Sequence, residues 1–199
     1  MRSFELKGAA ALLLLGVVVA CQTVSTSNVT MNELSNREAS AAPAPLRDPS
    51  IVIRKKKRRL ELYDGGKLIK TYPIALGFAP DGDKEEQGDG KTPEGSFYVF
   101  VKNPQSKFHL SLGLSYPSTE DAERGLASGI ITRRQHDSIV QAIRDGKMPL
   151  QNTALGGEIY IHGGGTNGDW TWGCIALANG DIEELYGSVG TGAKVTILP

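Results

Sequence analysis

The chain has little with which to cross-link itself and little net charge of either sign. Only two of its 199 residues are cysteine, Cys21 and Cys174, and only three are histidine. Lys and Arg number 22, as do Asp and Glu, so no global field argues for nucleic acid or for an acidic partner. Aromatic residues make up 7% of the chain. The apolar run from Ala9 to Ala20 falls short of the about 20 residues that span a bilayer. What is abundant is glycine, at 24 residues, which suits a loop-rich, mainly β protein better than a helix bundle. The length suffices for one ordinary domain with a real core.

The N-terminal run has signal-peptide proportions, with Arg2 and Lys7 ahead of it. Val18-Val19-Ala20-Cys21 resembles a bacterial lipobox, which implies a lipoprotein signal over residues 1–20 and lipidation of Cys21. Ordinary cleavage, with a coincidental cysteine, is the alternative. Residues 21–50 are rich in Ser, Thr, Asn, Ala and Pro, the composition of a flexible tether. Gln22 after the cysteine suggests the periplasmic face of an outer membrane. If Cys21 is lipidated, Cys174 is a lone thiol, either buried and inert or reactive. If it is not, a Cys21–Cys174 disulfide is a third reading.

From Ile51 to Pro199 the pattern is several strands with one helical insertion. Leu60 and Leu62 alternate with charged residues before Asp64-Gly65-Gly66, and an apolar run resumes at Leu68, which predicts a hairpin. The basic block Arg54–Arg59 reads as a solvated strand edge, or as a patch drawn to anionic headgroups or wall carboxylates. Phe108, Leu110, Leu112 and Leu114 alternate as one apolar strand face. Thr132 and Gln135 form a capping box for a helix that Gly146 stops, and a shorter helix starts at Ser118. Asp181–Tyr186 reads as a short helix capped by Asn179, and Ala193–Leu198 as a last strand.

The polar segment Ala79–Gly90 invites two motifs that fail. Asp81, Asp83 and Glu85 have calcium-loop spacing, but Glu86 and Thr92 stand where the turn glycine and the bidentate Glu belong. Gly90-Lys91-Thr92 mimics the end of a phosphate loop, but Glu85 occupies the first glycine position.

The chemistry concentrates in IHGGGTNGDWTWGCIAL, Ile161–Leu177. A thiol with an ordinary ionisation near 8.5 needs a base or a positive neighbour to act as a nucleophile at neutral pH. His162, at a strand end, could supply one if the glycine-rich loop folds back onto Cys174. The Gly173 and Cys174 amides would then be oxyanion donors. Spacing alone reads equally as a turn histidine and an unrelated small apolar cysteine. A zinc site lacks ligands, since Asp169 would be a third and no fourth is evident.

Three ordered segments resemble the YkuD-type L,D-transpeptidase catalytic domains. They are the hairpin LELYDGGKLIKTYPIALG, the segment GDGKTPEGSFYV, and His162-Gly163 followed by Thr171-Trp172-Gly173-Cys174-Ile175. The resemblance covers residues 51–199 and implies a mainly β, L,D-transpeptidase-like β-sandwich with a helical insertion. It also implies Cys174 as nucleophile, His162 as its base and the Gly163 carbonyl as the orienting group. Trp172 stands where the motif has a second histidine, and Ala176 where an Arg or Asn is common. Asp169 and Trp170 would fix the loop, while Tyr116, His109, Trp172, Thr171 and Asp169 are candidates for lining the substrate groove. The substrate class implied is the peptidoglycan stem peptide, with no cofactor and a membrane contact through the lipid anchor. A hydrolase on the same scaffold and a non-catalytic wall-binding module are the rival readings.

Overall fold

Two runs of alternating apolar residues around Asp64-Gly65-Gly66 do form a hairpin, β2 (Arg59–Asp64) with β3 (Lys67–Pro73). In the computed structural model, which describes residues 46–199, it is preceded by β1 (Pro49–Arg54), antiparallel to β2. Strand β1 takes in Pro49 and Ser50, the last two residues of the segment read as a tether. The signal segment, Cys21 and the rest of that tether lie outside the described residues.

The basic block is not a strand edge. Arg54 ends β1, Arg59 opens β2, and the residues between them are the turn. One of these side chains, Lys55, faces inward for a reason. Lys55 is 2% exposed, and its ammonium bonds the Gly82 carbonyl, the Thr92 carbonyl at 2.8 Å and Glu94 Oε1 at 2.9 Å. The cation that the polar loop seemed to invite is therefore a lysine of the protein itself. Replacing Lys55 with Met should cost about 3 kcal/mol, since one partner of a buried pair is removed and the others keep their desolvation. Urea unfolding of the variant measures this.

The eight strands among the described residues form one sheet in the order β3-β2-β1-β8-β4-β5-β6-β7. β8 (Lys194–Leu198) lies parallel to β1 and antiparallel to the start of β4 (Gly95–Ser106). The later part of β4 pairs instead with β5 (His109–Leu114) across register shifts, so one long strand serves both halves of the sheet. β6 (Tyr160–His162) and β7 (Ile175–Ala176) complete the order. Past β3 the chain reaches Ala75, which exchanges two backbone hydrogen bonds of 2.9 Å with Ala176. That contact joins the two ends of the sheet order, and the sheet curls around a core that includes Leu60, Leu62, Val99, Leu114, Ile161 and Ile175.

Between β5 and β6 stand α1 (Thr119–Ala127) and α2 (Arg133–Arg144). Both open on capping boxes, Ser118 with Asp121 and Thr132 with Gln135, and they share a small core of Ala122, Ile131, Ile139 and Leu155. α3 (Asn179–Ser188) is longer than its apolar pattern suggests. Its N-cap is Ala178 with no side-chain bond; Asn179 instead accepts the Gly164 N–H at 2.9 Å, tying the glycine loop to the helix. The fold is mainly β with a helical insertion.

Candidate active site

β6 and β7 run parallel, with Ile161 opposite Ile175 and both fully buried. Side chains alternate along a strand, so His162 and Cys174, each one residue off that pair, belong to the other face. They line one cleft of about 400 Å³ together with Phe108, Ser111, Glu158 and Tyr160. The structure thus brings together the two residues that the spacing alone left as an even choice.

His162 is 3% exposed, and its Nδ1 lies 2.6 Å from the Gly163 carbonyl oxygen. A carbonyl only accepts, so Nδ1 carries the proton and Nε2 keeps its lone pair. The Phe108 ring stacks on the imidazole at 4.6 Å, and Trp170 meets its edge at 5.7 Å. Burial lowers the ionisation of His162 below its ordinary value, partly opposed by the Gly163 bond, so the imidazole is neutral at pH 7. A side chain at position 163 is excluded, because its Cβ would lie 2.7 Å from both Asn179 Oδ1 and the Phe108 carbonyl.

Cys174 donates its thiol proton to the Glu158 carbonyl and accepts the Tyr160 N–H, each at 3.4 Å. Burial pushes the thiol up to about 11, opposed in part by the Tyr160 bond. Both groups line one cleft, and burial favours the neutral form of each. Glu158 adopts a left-handed φ of 56°, with its N–H donating to Gln151 Oε1 at 2.7 Å. That conformation is uncommon for a residue with a side chain, and here its carbonyl receives the thiol.

The turn before the cysteine is held from inside. Thr171 is 3% exposed; its hydroxyl donates to the Cys174 carbonyl at 2.7 Å and accepts the Gly173 N–H at 3.2 Å. Thr171 is thus a staple of the turn rather than a groove residue. Gly173 N–H is already bonded, which leaves the Cys174 N–H of the expected oxyanion pair. At φ 119° and with a Cβ that would fall 2.6 Å from the Lys91 carbonyl, position 173 admits only glycine.

Asp169 ties the loop to Leu76 and Arg58, through contacts away from the cleft. Its carboxylate accepts the Leu76 N–H at 2.9 Å and takes the Arg58 guanidinium at 2.7–3.1 Å. Asp169→Asn, which can keep the Leu76 bond, should cost under about 1 kcal/mol, because the Arg58 pair is partly exposed. Asp169→Ala loses both and should cost about 2 kcal/mol in denaturant unfolding.

Two expected groove residues lie elsewhere. Tyr116 is fully buried, and its hydroxyl donates to the Leu155 carbonyl at 2.8 Å beneath the insertion. His109 contacts Glu183 of α3 at 2.6 Å and lines neither cleft that reaches Cys174. Trp172 is 71% exposed, packs edge-on against Phe78 at 4.9 Å, and lines a second cleft of about 380 Å³ that also reaches Cys174. Sequence reasoning missed Phe108, which sits in the β4–β5 turn rather than on the apolar strand face, and is 45% exposed. It also missed Glu158, whose role lies in its backbone and leaves no residue-type signal. Among the described residues no group of three or more His, Cys, Asp or Glu side chains could hold a metal ion.

YafK of Escherichia coli strain K12, described provisionally as an L,D-transpeptidase, is 28% identical over 152 residues, covering 73% of this chain and 48% of that protein. The chain spans about half the length of the curated relatives it matches. The helical cell shape determining protein Pgp2 of Campylobacter jejuni is 23% identical, with a TM-score of 0.49 over 81% of this chain and 52% of that one. The L,D-transpeptidase (residues 123–326) of Xylanimonas cellulosilytica is 13% identical, with a TM-score of 0.45 over 85% of this chain and 71% of that one. The model of the YkuD L,D-transpeptidase catalytic domain matches residues 48–197, from before β1 into β8 and including His162 and Cys174, and this chain belongs to that family.

Proposed function

We propose that this domain is a peptidoglycan L,D-transpeptidase that works through a thioester on Cys174. The observation that carries this reading is the position of the sulfur, where two clefts meet and only one of them holds His162. Acyl transfer needs room for a donor and an acceptor at one nucleophile, and two clefts provide it.

The chemistry follows from the resting state. His162 Nε2 takes the thiol proton as Cys174 Sγ attacks the diamino acid's own carbonyl carbon, in the amide that joins it to the terminal D-amino acid of a stem peptide. The Cys174 N–H faces the developing oxyanion. The imidazolium returns the proton to the departing amine, the C–N bond breaks, and the terminal D-amino acid leaves. An acceptor amine then attacks the thioester and gives a proton to His162, which hands it back to the sulfur as the C–S bond breaks. Water in place of the amine yields hydrolysis. Trp172, on the second cleft, shapes which acceptor or donor fits and does not disarm the thiol.

Incubating the domain with purified disaccharide-tetrapeptides and following products by mass spectrometry tests this reading. New cross-linked dimers that depend on Cys174 support transfer. Shortened products with no dimers identify a hydrolase, and no turnover with retained ligand binding identifies a wall-binding module.

The lipobox-like residues support a further part of the proposal, a periplasmic lipoprotein held at the outer membrane through Cys21. Metabolic labelling with a radioactive fatty acid should mark the protein and should fail for Cys21→Ala. Label retained in that variant would contradict the anchor.

A further inference from the structure

The polar loop Ala79–Glu94 is built around two buried lysines, and they are not equivalent. Lys55 uses all three ammonium donors on Gly82, Thr92 and Glu94. Lys84 is also 2% exposed but spends only two, on the Glu86 carbonyl at 2.8 Å and Asp89 Oδ1 at 2.7 Å. Among the described residues no third acceptor bonds it. Its third N–H is therefore free for an acceptor from outside the loop, and a buried charged group gains from having that bond made.

The cleft that Lys84 borders is the second one, shared with Gln87, Gln151, Glu158, Trp172 and Cys174. Lys84 is the only cation among its described lining residues. Asp89 does not cancel that charge outright, because its carboxylate is also shared among the backbone N–H groups of Glu85, Glu86 and Lys91. The position of Lys84 is fixed as well. Its carbonyl accepts from Arg124 of α1, and its Cε lies 3.3 Å from where a Cβ on Gly156 would stand.

We propose that Lys84 binds a free carboxylate of the stem peptide in the second cleft, which makes it a specificity-determining residue. This rests on the transpeptidase reading above. A tetrapeptide offers two such groups near the reacting carbonyl: the terminal carboxylate of the leaving D-amino acid, and the side-chain carboxylate of the diamino acid. Either one meets a fixed ammonium with a spare donor, and the paired charges orient the substrate across Cys174.

Three stem tetrapeptides separate the sources: the free acid, its C-terminal amide, and the form amidated on the diamino-acid side chain. With the wild-type domain, kcat/KM should fall about 10- to 100-fold for one of the two amides. The pair Lys84→Gln with Asp89→Asn removes both charges while keeping the shape, and should narrow that difference to about twofold. Lys84→Gln alone serves if the double variant does not fold, and Lys84→Arg should retain the discrimination. Equal rates on all three peptides in the wild type overturn the proposal without any variant. So does a penalty that persists undiminished in the charge-free variant. No turnover of any peptide by the wild type contradicts the transpeptidase reading itself and removes this inference with it.

Discussion

Cys174→Ala should lower acyl transfer by roughly 10,000-fold or more while leaving a domain that unfolds at nearly the wild-type denaturant concentration. The size follows from losing the atom that the proposed mechanism acylates, since removing a nucleophile costs far more than any single positioning contact. The stability expectation follows from local packing. The sulfur makes two weak bonds of 3.4 Å, while the turn that carries it is secured by Thr171, Gly173 and the Ala75–Ala176 contact. The Tyr160 N–H and Glu158 carbonyl freed by the change lie beside a cleft that water reaches. Retained turnover in this variant would remove Cys174 from the chemistry, and a collapsed fold would show the thiol to be a core residue.

His162→Gln should give the second largest loss, roughly 100- to 10,000-fold in kcat at pH 7. Its diagnostic feature is the pH dependence of what remains. In the proposed mechanism His162 accepts the proton at the moment of attack, and burial keeps it in the neutral, proton-accepting form to lower pH than an ordinary histidine. Without that base the thiol must ionise alone, and burial has pushed it up to about 11. A thiol is neutral below its ionisation point and anionic above it. The residual rate should therefore climb about tenfold per pH unit through the alkaline range and level off only near that value. The wild-type rate should instead be flat across neutral pH and fall on the acid side as His162 protonates. A variant whose pH profile matches the wild type would show that His162 is not the base.

Local pattern predicted the local elements of this fold. The β2–β3 hairpin was legible because Leu60 and Leu62 alternate up to a turn that demands glycine. The start of α2 was legible because Thr132 and Gln135 are three residues apart, the spacing at which each side chain reaches the other's backbone. What the pattern could not convey was which charges turn inward. The run Arg54–Arg59 looks like solvent-facing charge, yet Lys55 is buried by carbonyls contributed from residues 82 and 92, far along the chain. The insertion of β8 between β1 and β4 has the same character, since it depends on a pairing across most of the domain.

The site divides in the same way. His162, Gly163 and Cys174 were singled out because three ordered segments resemble one family; the structure sets His162 and Cys174 on one cleft, with His162 Nδ1 at the Gly163 carbonyl. Tyr116 failed as a groove residue because the insertion that follows covers it and Leu155 takes its hydroxyl. Thr171 failed because its hydroxyl is consumed within the turn. Phe108 was hidden by a strand pattern that continues one residue too far, into the turn that stacks its ring on His162. Glu158 was invisible because its carbonyl, not its side chain, touches the sulfur.

The most direct measurement is intact-protein mass spectrometry of the wild-type domain quenched in acid during turnover of a disaccharide-tetrapeptide, followed by peptide mapping. The proposed mechanism requires an adduct with the mass of the disaccharide-tripeptide acyl group, located on Cys174 and lost on treatment with hydroxylamine, as a thioester is. Cross-linked product accumulating with no such adduct, or with the adduct on any other residue, would contradict the assignment of Cys174 as the nucleophile.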